Sequence, residues 1–268
     1  MAHSESTRTR TKVAIVTGAA QGIGQGIARR LAADGFQIML NDLPSRLDDL
    51  SSLSRGLQSE LDCSVEVVTG DVSKEDEVKQ LVDIAVEKFG GLDAMVANAG
   101  ITVNKPILET SADEWNRLMN INARGTFFCY KYSAEQMIKQ GRGGRIVGAC
   151  SIAGKKGIAD AAAYSASKFA VRGLTQSAAL EWGKYGITVN AYAPGPINTP
   201  FLGTWDTYHT SKSGAAKGSW AESQKETTAT GTLGTPEDIA ALVSYLVSDD
   251  AKFITGQSII IDGGAVFD

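Results

Sequence analysis

The sequence predicts an α/β fold, a single doubly wound parallel sheet of about seven strands with helices on both faces. Short runs rich in β-branched and apolar residues alternate along the chain with longer segments of helical periodicity. Most of the short runs are apolar throughout, which is typical of parallel strands that are covered on both faces. This alternation implies right-handed strand–helix–strand crossovers, and no internal repeat or linker divides the sequence.

The individual strands and helices follow in order from these patterns. In the first helix Ile23, Ile27 and Leu31 recur every four residues, and Gly35 is predicted to end it. The predicted strands are Val13–Thr17, Gln37–Asn41, Val65–Thr69, Ala94–Ala97, Arg145–Ala149, Thr188–Ala193 and Ser258–Ile261. The later predicted helices are Lys74–Phe89, Ala112–Ile138, Ala162–Trp182 and Pro236–Ser248, the last with a proline that suits a first helical turn.

One segment, residues 201–233, interrupts the alternation. It is rich in Ser, Thr and Gly but contains Trp205, Tyr208 and Trp220. Aromatic residues in an otherwise polar insertion predict a loop or short helices that fold over a substrate site. The alternative is a surface excursion with its aromatic residues packed beneath it.

Length and charge narrow the function classes. The 268 residues fit one domain, expected over residues 12–268 after a flexible N-terminal arm at residues 1–11. A net charge of −4 gives no support for a nucleic acid or a membrane surface as partner. The apolar runs are too short to span a bilayer, and the arm lacks the apolar core of a secretory signal. A cytoplasmic protein is therefore expected.

Few residues suit metal or triad chemistry. Cys63, Cys129 and Cys150 have the spacing of neither a disulfide framework nor a zinc site. Because His3 and His209 are the two histidines, a Ser-His-Asp triad or a histidine metal site is hard to build. We expect no metal in the chemistry.

A glycine-rich turn, Thr17-Gly-Ala-Ala-Gln-Gly-Ile-Gly24, follows the first predicted strand. Gly18, Gly22 and Gly24 let a pyrophosphate approach the N-terminus of the next helix, where free N–H groups and the helix dipole favour negative charge. Between a strand and a helix, such a turn predicts a dinucleotide site, here including Gln21 and Ile23.

The end of the second strand indicates which dinucleotide binds. Asp42 can accept hydrogen bonds from both ribose hydroxyls of the adenosine and would repel a 2′-phosphate, which favours NAD over NADP. Gln21 is neutral where a basic residue would pair with that phosphate, whereas the nearby Arg46 can soften the preference. The alternative for Asp42 is a helix N-cap or a solvated loop acid.

Two further strands end in residues suited to the same ligand. Asp71 and Val72 follow the third strand, where a carboxylate can receive the adenine amino group. Asn98, Ala99 and Gly100 follow the fourth, where small residues let the backbone pass a flat ligand and Asn98 can join the strand ends. All lie at carboxyl ends of strands, the edge at which open α/β sheets bind ligands, although each also suits an ordinary turn.

Four polar side chains predict the catalytic chemistry. Tyr164 and Lys168, four residues apart, share one helix face, so the ammonium is expected to lower the pKa of the phenol below about 10. That tuning suits a general base near neutral pH. Ser151 ends the fifth strand and can hold a substrate oxygen. Asn122, in an apolar helix, needs a partner and is predicted to hold a water that links Lys168 to solvent.

These residues resemble the motifs of the short-chain dehydrogenase/reductase family, in its NAD-preferring type, over the chain from Lys12 to Asp268. Ala97 stands where the family usually has an Asn. The similar motifs are Thr17-Gly-x-x-x-Gly-Ile-Gly24, Asp71-Val72, Asn98-Ala-Gly100, Asn122, Ser151, Tyr164-x-x-x-Lys168, Pro194-Gly-Pro-Ile-Asn-Thr-Pro200 and Gly256-Gln-Ser-x-x-Ile-Asp-Gly-Gly264.

The resemblance implies a Rossmann-type fold and a role for each catalytic residue. Tyr164 would be the acid and base, and Lys168 would lower its pKa and hold the nicotinamide ribose. Ser151 would orient the reacting oxygen, and Asn122 would complete a proton relay. Hydride transfer between NAD(H) and a secondary alcohol or ketone follows from these roles.

The resemblance also implies a grip on the nicotinamide and an assembly. Pro194, Ile197 and Thr199 would hold the nicotinamide carboxamide. Family members often form homotetramers, or homodimers, through the two long helices and the C-terminal strand. The apolar run Ile259–Ile261 fits such an interface, although burial within one subunit would explain it equally.

Within the family, the turn, the segments around Ser151 and Tyr164 and the C-terminus are most similar to the diacetyl/acetoin reductases, or 2,3-butanediol dehydrogenases. Ile152 and Ile158 stand where those enzymes are often polar, which favours apolar carbonyl compounds. Other 3-oxoacyl, polyol or hydroxysteroid dehydrogenases remain alternatives. A binding protein that senses the NAD redox state is a further one, although it would be expected to lose Tyr164 or Lys168.

Overall fold

Seven parallel strands form one sheet in a computed structural model that describes residues 10–61 and 63–268. The strands are β1 Val13–Thr17, β2 Gln37–Asp42, β3 Val65–Thr69, β4 Ala94–Ala97, β5 Gly144–Ala149, β6 Ile187–Pro194 and β7 Ser258–Ile261. Their order in the sheet is β3-β2-β1-β4-β5-β6-β7, so the first strands pair outward from β1 to β3 and the later ones pair in the other direction from β4 to β7. This architecture confirms the predicted fold class.

Helices cover both faces of the sheet. The helices are α1 Gly22–Ala33, α2 Leu47–Leu61, α3 Glu75–Phe89, α4 Ala112–Met119, α5 Thr126–Gln140, α6 Ala162–Trp182, α7 Pro200–Ser213, α8 Ser219–Ser223 and α9 Pro236–Val247. Successive residues of β1 point to opposite faces, so Val16 packs with α1, α2 and α9, whereas Ile15 packs with α3, α5 and α6. No helix among the described residues is long and apolar enough to cross a membrane.

Several predicted strands and helices are one residue longer or shorter in the structure, and larger differences occur at three places. The helix predicted over Ala112–Ile138 contains a π-helical segment, Asn120–Gly125, between α4 and α5. Helix α1 ends at Ala33 with Asp34 as its C-cap, and Gly35 follows at φ +89°, a conformation that glycine adopts without steric cost. Helix α2, between β2 and β3, was not delimited from the sequence.

Residues 201–233 are largely helical. Helix α7 begins with Pro200 in its first turn, and α8 is followed by a 3₁₀ turn over Gln224–Thr227. Where the sequence predicts a loop or short helices, the structure has one helix of 14 residues, one of five and the 3₁₀ turn, and their folding over a substrate stays a prediction. The N-terminal arm predicted for residues 1–11 lies outside the described residues apart from Arg10 and Thr11.

The sheet order fixes where a ligand can bind. β1 and β4 are neighbours, yet the chain leaves them toward opposite edges of the sheet. The segments that follow them therefore diverge and leave a crevice at the carboxyl ends of the strands, which is the usual ligand site of open α/β sheets.

Candidate active site

The glycine turn between β1 and α1 is shaped for close approach by a ligand. Gly18 and Gly22 have φ values of +64° and +55°, which residues other than glycine rarely adopt. A Cβ on Gly24 would lie 2.2 Å from the carbonyl oxygen of Gly18. No side chain caps α1, whose N-cap is Gln21, so backbone N–H groups of the first turn remain free for an anion. The turn fits the pyrophosphate of a dinucleotide.

Asp42 lies beyond this turn, at the end of β2, with its carboxylate fixed by the backbone. Its Oδ2 accepts a hydrogen bond from Ala20 N at 3.0 Å, and its Oδ1 accepts one from Leu43 N at 2.8 Å. Arg46 reaches the same end of the cavity and donates to Gln21 Oε1 at 2.9 Å. A carboxylate and a guanidinium therefore border the place where the sequence predicts the adenosine ribose.

Asn98, directly after β4, joins the ends of β1, β4 and β6. Its Nδ2 donates to the carbonyl oxygens of Thr17 and Gly18, at 2.8 and 3.0 Å, and its Oδ1 accepts from the hydroxyl of Tyr192 at 2.7 Å. The polar atoms of the Asn98 side chain are hydrogen-bonded within the protein. Ala99 and Gly100, which line the cavity, can therefore contact a ligand through their backbone.

Asp71 and Val72 line the cavity after β3. Asp71 Oδ1 accepts from Ser73 N at 2.9 Å, and the backbone N–H of Asp71 donates to Glu77 Oε2 at 2.7 Å. The loop after β3 is thus held by hydrogen bonds of both the backbone and the side chain of Asp71, whose carboxylate lies at the rim of the cavity.

Tyr164, Ser151 and Lys168 come together at the other end of the cavity. Lys168 is 5% exposed, and its Nζ donates to the carbonyl oxygen of Ala149 at 2.7 Å. That nitrogen lies 5.5 Å from the centre of the Tyr164 ring. The Ser151 hydroxyl accepts from Ala153 N at 3.1 Å, at the turn that follows β5.

Burial dominates the acid–base properties of this group. It raises the pKa of Tyr164 above its ordinary value, an effect that hydrogen bonding to Ser151 opposes. It lowers the pKa of Lys168 to about 8, because an ammonium loses its hydration there. The sequence predicts a lowered pKa for Tyr164, and this direction is wrong for the protein's own groups, because burial of the phenol is the largest influence and raises its pKa.

Asn122 lies behind the cavity wall, in the π-helical segment. Its Oδ1 accepts from Ile101 N, and its Nδ2 donates to Ile101 O, both at 2.9 Å. Nδ2 also lies 3.1 Å from Ser167 Oγ, which donates to the carbonyl oxygen of Tyr164 at 2.7 Å. A Cβ on Gly100 would lie 3.3 Å from Asn122 Oδ1 and 3.6 Å from Lys168 Nζ. Asn122 therefore ties the loop after β4 to the helix that carries Tyr164, and its water relay remains a prediction.

The part of the cavity nearest Tyr164 is apolar. Phe201 and Trp205, both on α7, place their ring centres 5.8 and 5.9 Å from that of Tyr164. Ile152 and Ile158 line the same cavity, as the sequence predicts for a substrate rim. Thr199, the N-cap of α7, lies on the side of the glycine turn, where a Cβ on Gly22 would be 3.4 Å from its Cγ2.

One cavity of about 610 Å³ connects these groups. It is lined by all the predicted cofactor and catalytic residues except Asn122, namely Gly18, Gln21, Gly22, Ile23, Gly24, Asp42, Asp71, Val72, Asn98, Ala99, Gly100, Ser151, Tyr164, Lys168, Pro194, Ile197 and Thr199. Ser167, Tyr192 and the carbonyl of Ala149 also hold the site together, and the sequence did not predict them. The position of Ser167, directly before Lys168 and three residues after Tyr164, was a signal, because a hydroxyl buried beside these residues needs a hydrogen-bond partner.

Comparisons with known proteins extend over nearly the whole chain. A family model described as enoyl-(acyl carrier protein) reductase matches residues 18–266. A short-chain dehydrogenase/reductase of Armillaria gallica is 49% identical over 259 residues, which are 96% of this chain and 97% of that protein. A diacetyl reductase, (S)-acetoin forming, of Staphylococcus epidermidis is 42% identical over 261 residues, 96% of this chain and 99% of that protein.

A similar solved structure, the crystal structure of levodione reductase, has a TM-score of 0.88 and 33% sequence identity. The match covers 95% of this chain and 98% of that chain. The likeness in sequence and in three dimensions thus includes both ends of the cavity.

Proposed function

The chain belongs to the short-chain dehydrogenase/reductase family of oxidoreductases, and we propose that it interconverts a secondary alcohol and a ketone with NAD(H), using Tyr164 as acid and base. One observation carries the proposal. A single cavity joins the glycine turn and Asp42 at one end to Tyr164, Ser151 and Lys168 at the other. A dinucleotide that spans it would present its nicotinamide beside the phenol.

The chain's own residues divide the remaining work. The nicotinamide dinucleotide supplies or accepts the hydride when it is bound. In reduction, Tyr164 donates its proton to the carbonyl oxygen, which Ser151 positions by a hydrogen bond. The raised pKa of Tyr164 keeps the phenol protonated and ready to donate at neutral pH. The Lys168 ammonium favours the phenolate that forms, and the buried surroundings strengthen that attraction.

The cofactor preference follows from the other end of the cavity. Asp42, held by two backbone N–H groups, offers its carboxylate to the ribose hydroxyls and repels a 2′-phosphate. Arg46 is tied to Gln21 and Asp49, at 2.9 Å each, which supports NAD as the preferred cofactor. Pro194, Ile197 and Thr199, which line the same cavity, are proposed to hold the nicotinamide carboxamide.

The Tyr164→Phe variant tests the assignment. The substitution keeps the ring that packs on Trp205 and Phe201 and removes the proton. We expect NADH to bind with unchanged affinity, measured by its fluorescence, while ketone reduction falls by about a hundredfold or more. An active variant would show that another group carries the proton.

Diacetyl or acetoin reduction is a second candidate substrate assignment. The 42% identity to a diacetyl reductase over nearly the full length supports it. The isoleucines at 152 and 158 weigh against it, since they offer no hydrogen bond to a second substrate oxygen. Steady-state assays of both compounds with NADH decide, and no turnover of either would remove this candidate.

We also propose a homotetrameric, cytoplasmic enzyme. The residues of β7, at the edge of the sheet, are half-buried, and Phe267 in the tail beyond it is exposed. An edge strand flanked by exposed apolar residues suits association with another subunit. The free thiols of Cys63, Cys129 and Cys150 suit a reducing compartment.

A further inference from the structure

We propose that the substrate is a neutral, apolar ketone that carries a ring, and that this ring packs against an aromatic wall formed by Trp205 and Trp220 and backed by His209. The inference rests on the proposed function, because it requires the reacting oxygen to lie at Tyr164. It names the part of the substrate that the catalytic residues do not touch.

The aromatic wall consists of three nearly parallel rings. The Trp220 ring lies 4.3 Å from the His209 ring at an interplanar angle of 15°, and 6.2 Å from the Trp205 ring at 11°. The Trp205 ring meets Tyr164 edge-on, at 77°. The wall therefore begins at the catalytic phenol and continues away from it along the cavity, which both tryptophans line.

A buried carboxylate holds the wall together. Asp206, next to Trp205 on α7, accepts hydrogen bonds from Gly218 N at 2.7 Å and from Ala221 N at 3.0 Å. These bonds fix the start of α8 against α7 and so place Trp220 over Trp205. A wall set by protein contacts needs no ordering when a substrate arrives, which favours binding of a rigid ring.

Isoleucine side chains line the same cavity near Tyr164. Ile101 and Ile158 pack in the same hydrophobic cluster as Tyr164, and Ile152 lines the cavity beside Ser151. A ketone whose oxygen is held at Tyr164 has its carbon substituents among these side chains. A second oxygen there would lose its hydrogen bonds to water without replacement.

A ring fits this space better than an open chain of similar size. A ring buries its area without losing freedom of rotation, whereas a flexible chain loses rotamer entropy on binding. It also offers a face or an edge to the indoles. Arg117, Gln224 and Thr227 are polar groups that line the cavity too, and Arg117 makes a carboxylate-bearing ketone the competing substrate class. Arg117 is exposed on α4, which favours the neutral class.

A substrate panel with NADH tests the proposal in wild type and in Trp220→Ala. The panel is 2-decalone, cyclohexanone, 4-oxocyclohexanecarboxylate, 2-octanone, 2-butanone and acetoin. We expect kcat/KM for 2-decalone to exceed that for 2-octanone and acetoin by about tenfold or more. Trp220→Ala should lower kcat/KM for 2-decalone by about tenfold or more relative to its effect on 2-butanone.

Matched variants separate the wall from general effects. Trp115→Ala removes a tryptophan that is exposed on α4 and outside the cavity, and it should leave the ranking of substrates unchanged. NADH fluorescence on binding reports whether each variant is folded. If Trp220→Ala does not fold, Trp220→Leu carries the same expectation, since it keeps an apolar group without the indole.

The outcomes are distinguishable from failure of the proposed function. If acetoin is the best substrate, if 4-oxocyclohexanecarboxylate exceeds cyclohexanone, or if Trp220→Ala affects all ketones alike, the ring-binding wall is wrong and ketone reduction stands. If wild type reduces no ketone with NADH or NADPH, the proposed function itself fails.

Discussion

Lys168 titrates within the range in which enzymes are assayed, because burial lowers its pKa to about 8. Below that pH it is an ammonium that favours the phenolate left on Tyr164 when the proton is transferred to substrate. Above it the charge is lost. We therefore predict that kcat/KM for ketone reduction falls above about pH 8, approaching tenfold per pH unit. Initial rates with NADH from pH 6 to 10 measure the profile.

The Lys168→Met variant is the control for this profile. It lacks the titrating group, so its low rate should not decline between pH 8 and 10 as that of wild type does. A wild-type profile that stays flat to pH 10 would contradict the assignment of Lys168 as the group whose charge is needed.

In the proposed function, the negative charge of Asp42 determines the preference for NADH over NADPH. Replacing it with Ser removes the repulsion toward a 2′-phosphate and leaves Arg46 to attract it. We expect the ratio of kcat/KM for NADH to that for NADPH to fall by about tenfold or more. Asp48→Asn, a neighbouring exposed acid outside the cavity, should leave the ratio unchanged. Adding Arg46→Ala to Asp42→Ser should lower the kcat/KM for NADPH again. If Asp42→Ser leaves the ratio of the two kcat/KM values unchanged, Asp42 does not determine the cofactor preference.

At this scale the sequence predicts residues by their chemistry but not by their partners. Tyr164, Lys168 and Ser151 were identified because their residue types and spacing suit proton transfer. The contacts of Asn122 with Ile101 and Ser167 depend on the packing of three separate segments. For the same reason the direction of the Tyr164 pKa was predicted wrongly. Spacing shows that a cation is near, whereas only the fold shows how deeply the phenol is buried.

Helix α7, which carries Trp205, is attached to the segment before α6 through Asp160. This carboxylate accepts from the Tyr208 hydroxyl at 2.8 Å and from Lys212 Nζ at 3.1 Å, and both bonds lower its pKa. Asp160 has φ +58°, the one positive φ at a non-glycine among the described residues. Tyr164 follows four residues later, so Asp160 links the helix above the substrate to the helix that carries the phenol.

Asp160→Gly should loosen α7 without straining the backbone, since glycine accepts a positive φ freely. We expect KM for a bulky ketone to rise by about threefold to tenfold, well below the hundredfold loss that misplaced catalytic groups cause. NADH affinity should stay constant. Tyr208→Phe should produce a smaller rise in KM, and combining it with Asp160→Gly should add little, because the same contact is already lost. Additive effects in the double variant would rule out Asp160 as the attachment point.

Helices and strands were predictable where apolar residues recur at a clear spacing. They were not predictable where packing between distant segments determines the backbone geometry. The short apolar runs of the strands and the helical length of Ala162–Trp182 were sufficient to predict these elements. The π-helical segment Asn120–Gly125 has no signature in a window that reads as one continuous helix. It widens the turn at Asn122 so that this side chain meets the Ile101 backbone, and π-bulges often occur at functional sites.

For the whole molecule, the position of the cavity follows from the strand order. The two halves of the sheet meet between β1 and β4, and Asn98 and Tyr192 bridge their ends at the floor of the cavity. Alternation of strands and helices was enough to predict a doubly wound sheet. The composition of residues 201–233 marked this segment as unusual, but it did not predict α7 and α8. Apolar residues do not recur there at a helical or a strand spacing.

An unpartnered stripe on α6 bears on the assembly of the molecule. Phe169 and Leu180, on the same side of the helix because eleven residues make about three turns, are 44% and 87% exposed. Gly173, between them, has open space where a Cβ would stand, which lets a second helix approach closely. The stripe therefore has the shape and polarity of a helix–helix contact between subunits.

Leu180→Glu should weaken the proposed homotetramer, because each interface that buries this leucine would gain a charge in place of about 1.5–3 kcal/mol of apolar burial. Sedimentation velocity at micromolar concentration should show a shift from tetramer to dimer or monomer. Phe253→Glu is the matched control, since Phe253 is 99% exposed and lies outside both α6 and β7, and it should sediment like wild type. If wild type itself sediments as a monomer, the stripe does not bind another subunit. If Leu180→Glu leaves a tetramer intact, the subunits associate through other surfaces, of which the edge strand β7 is the next to test.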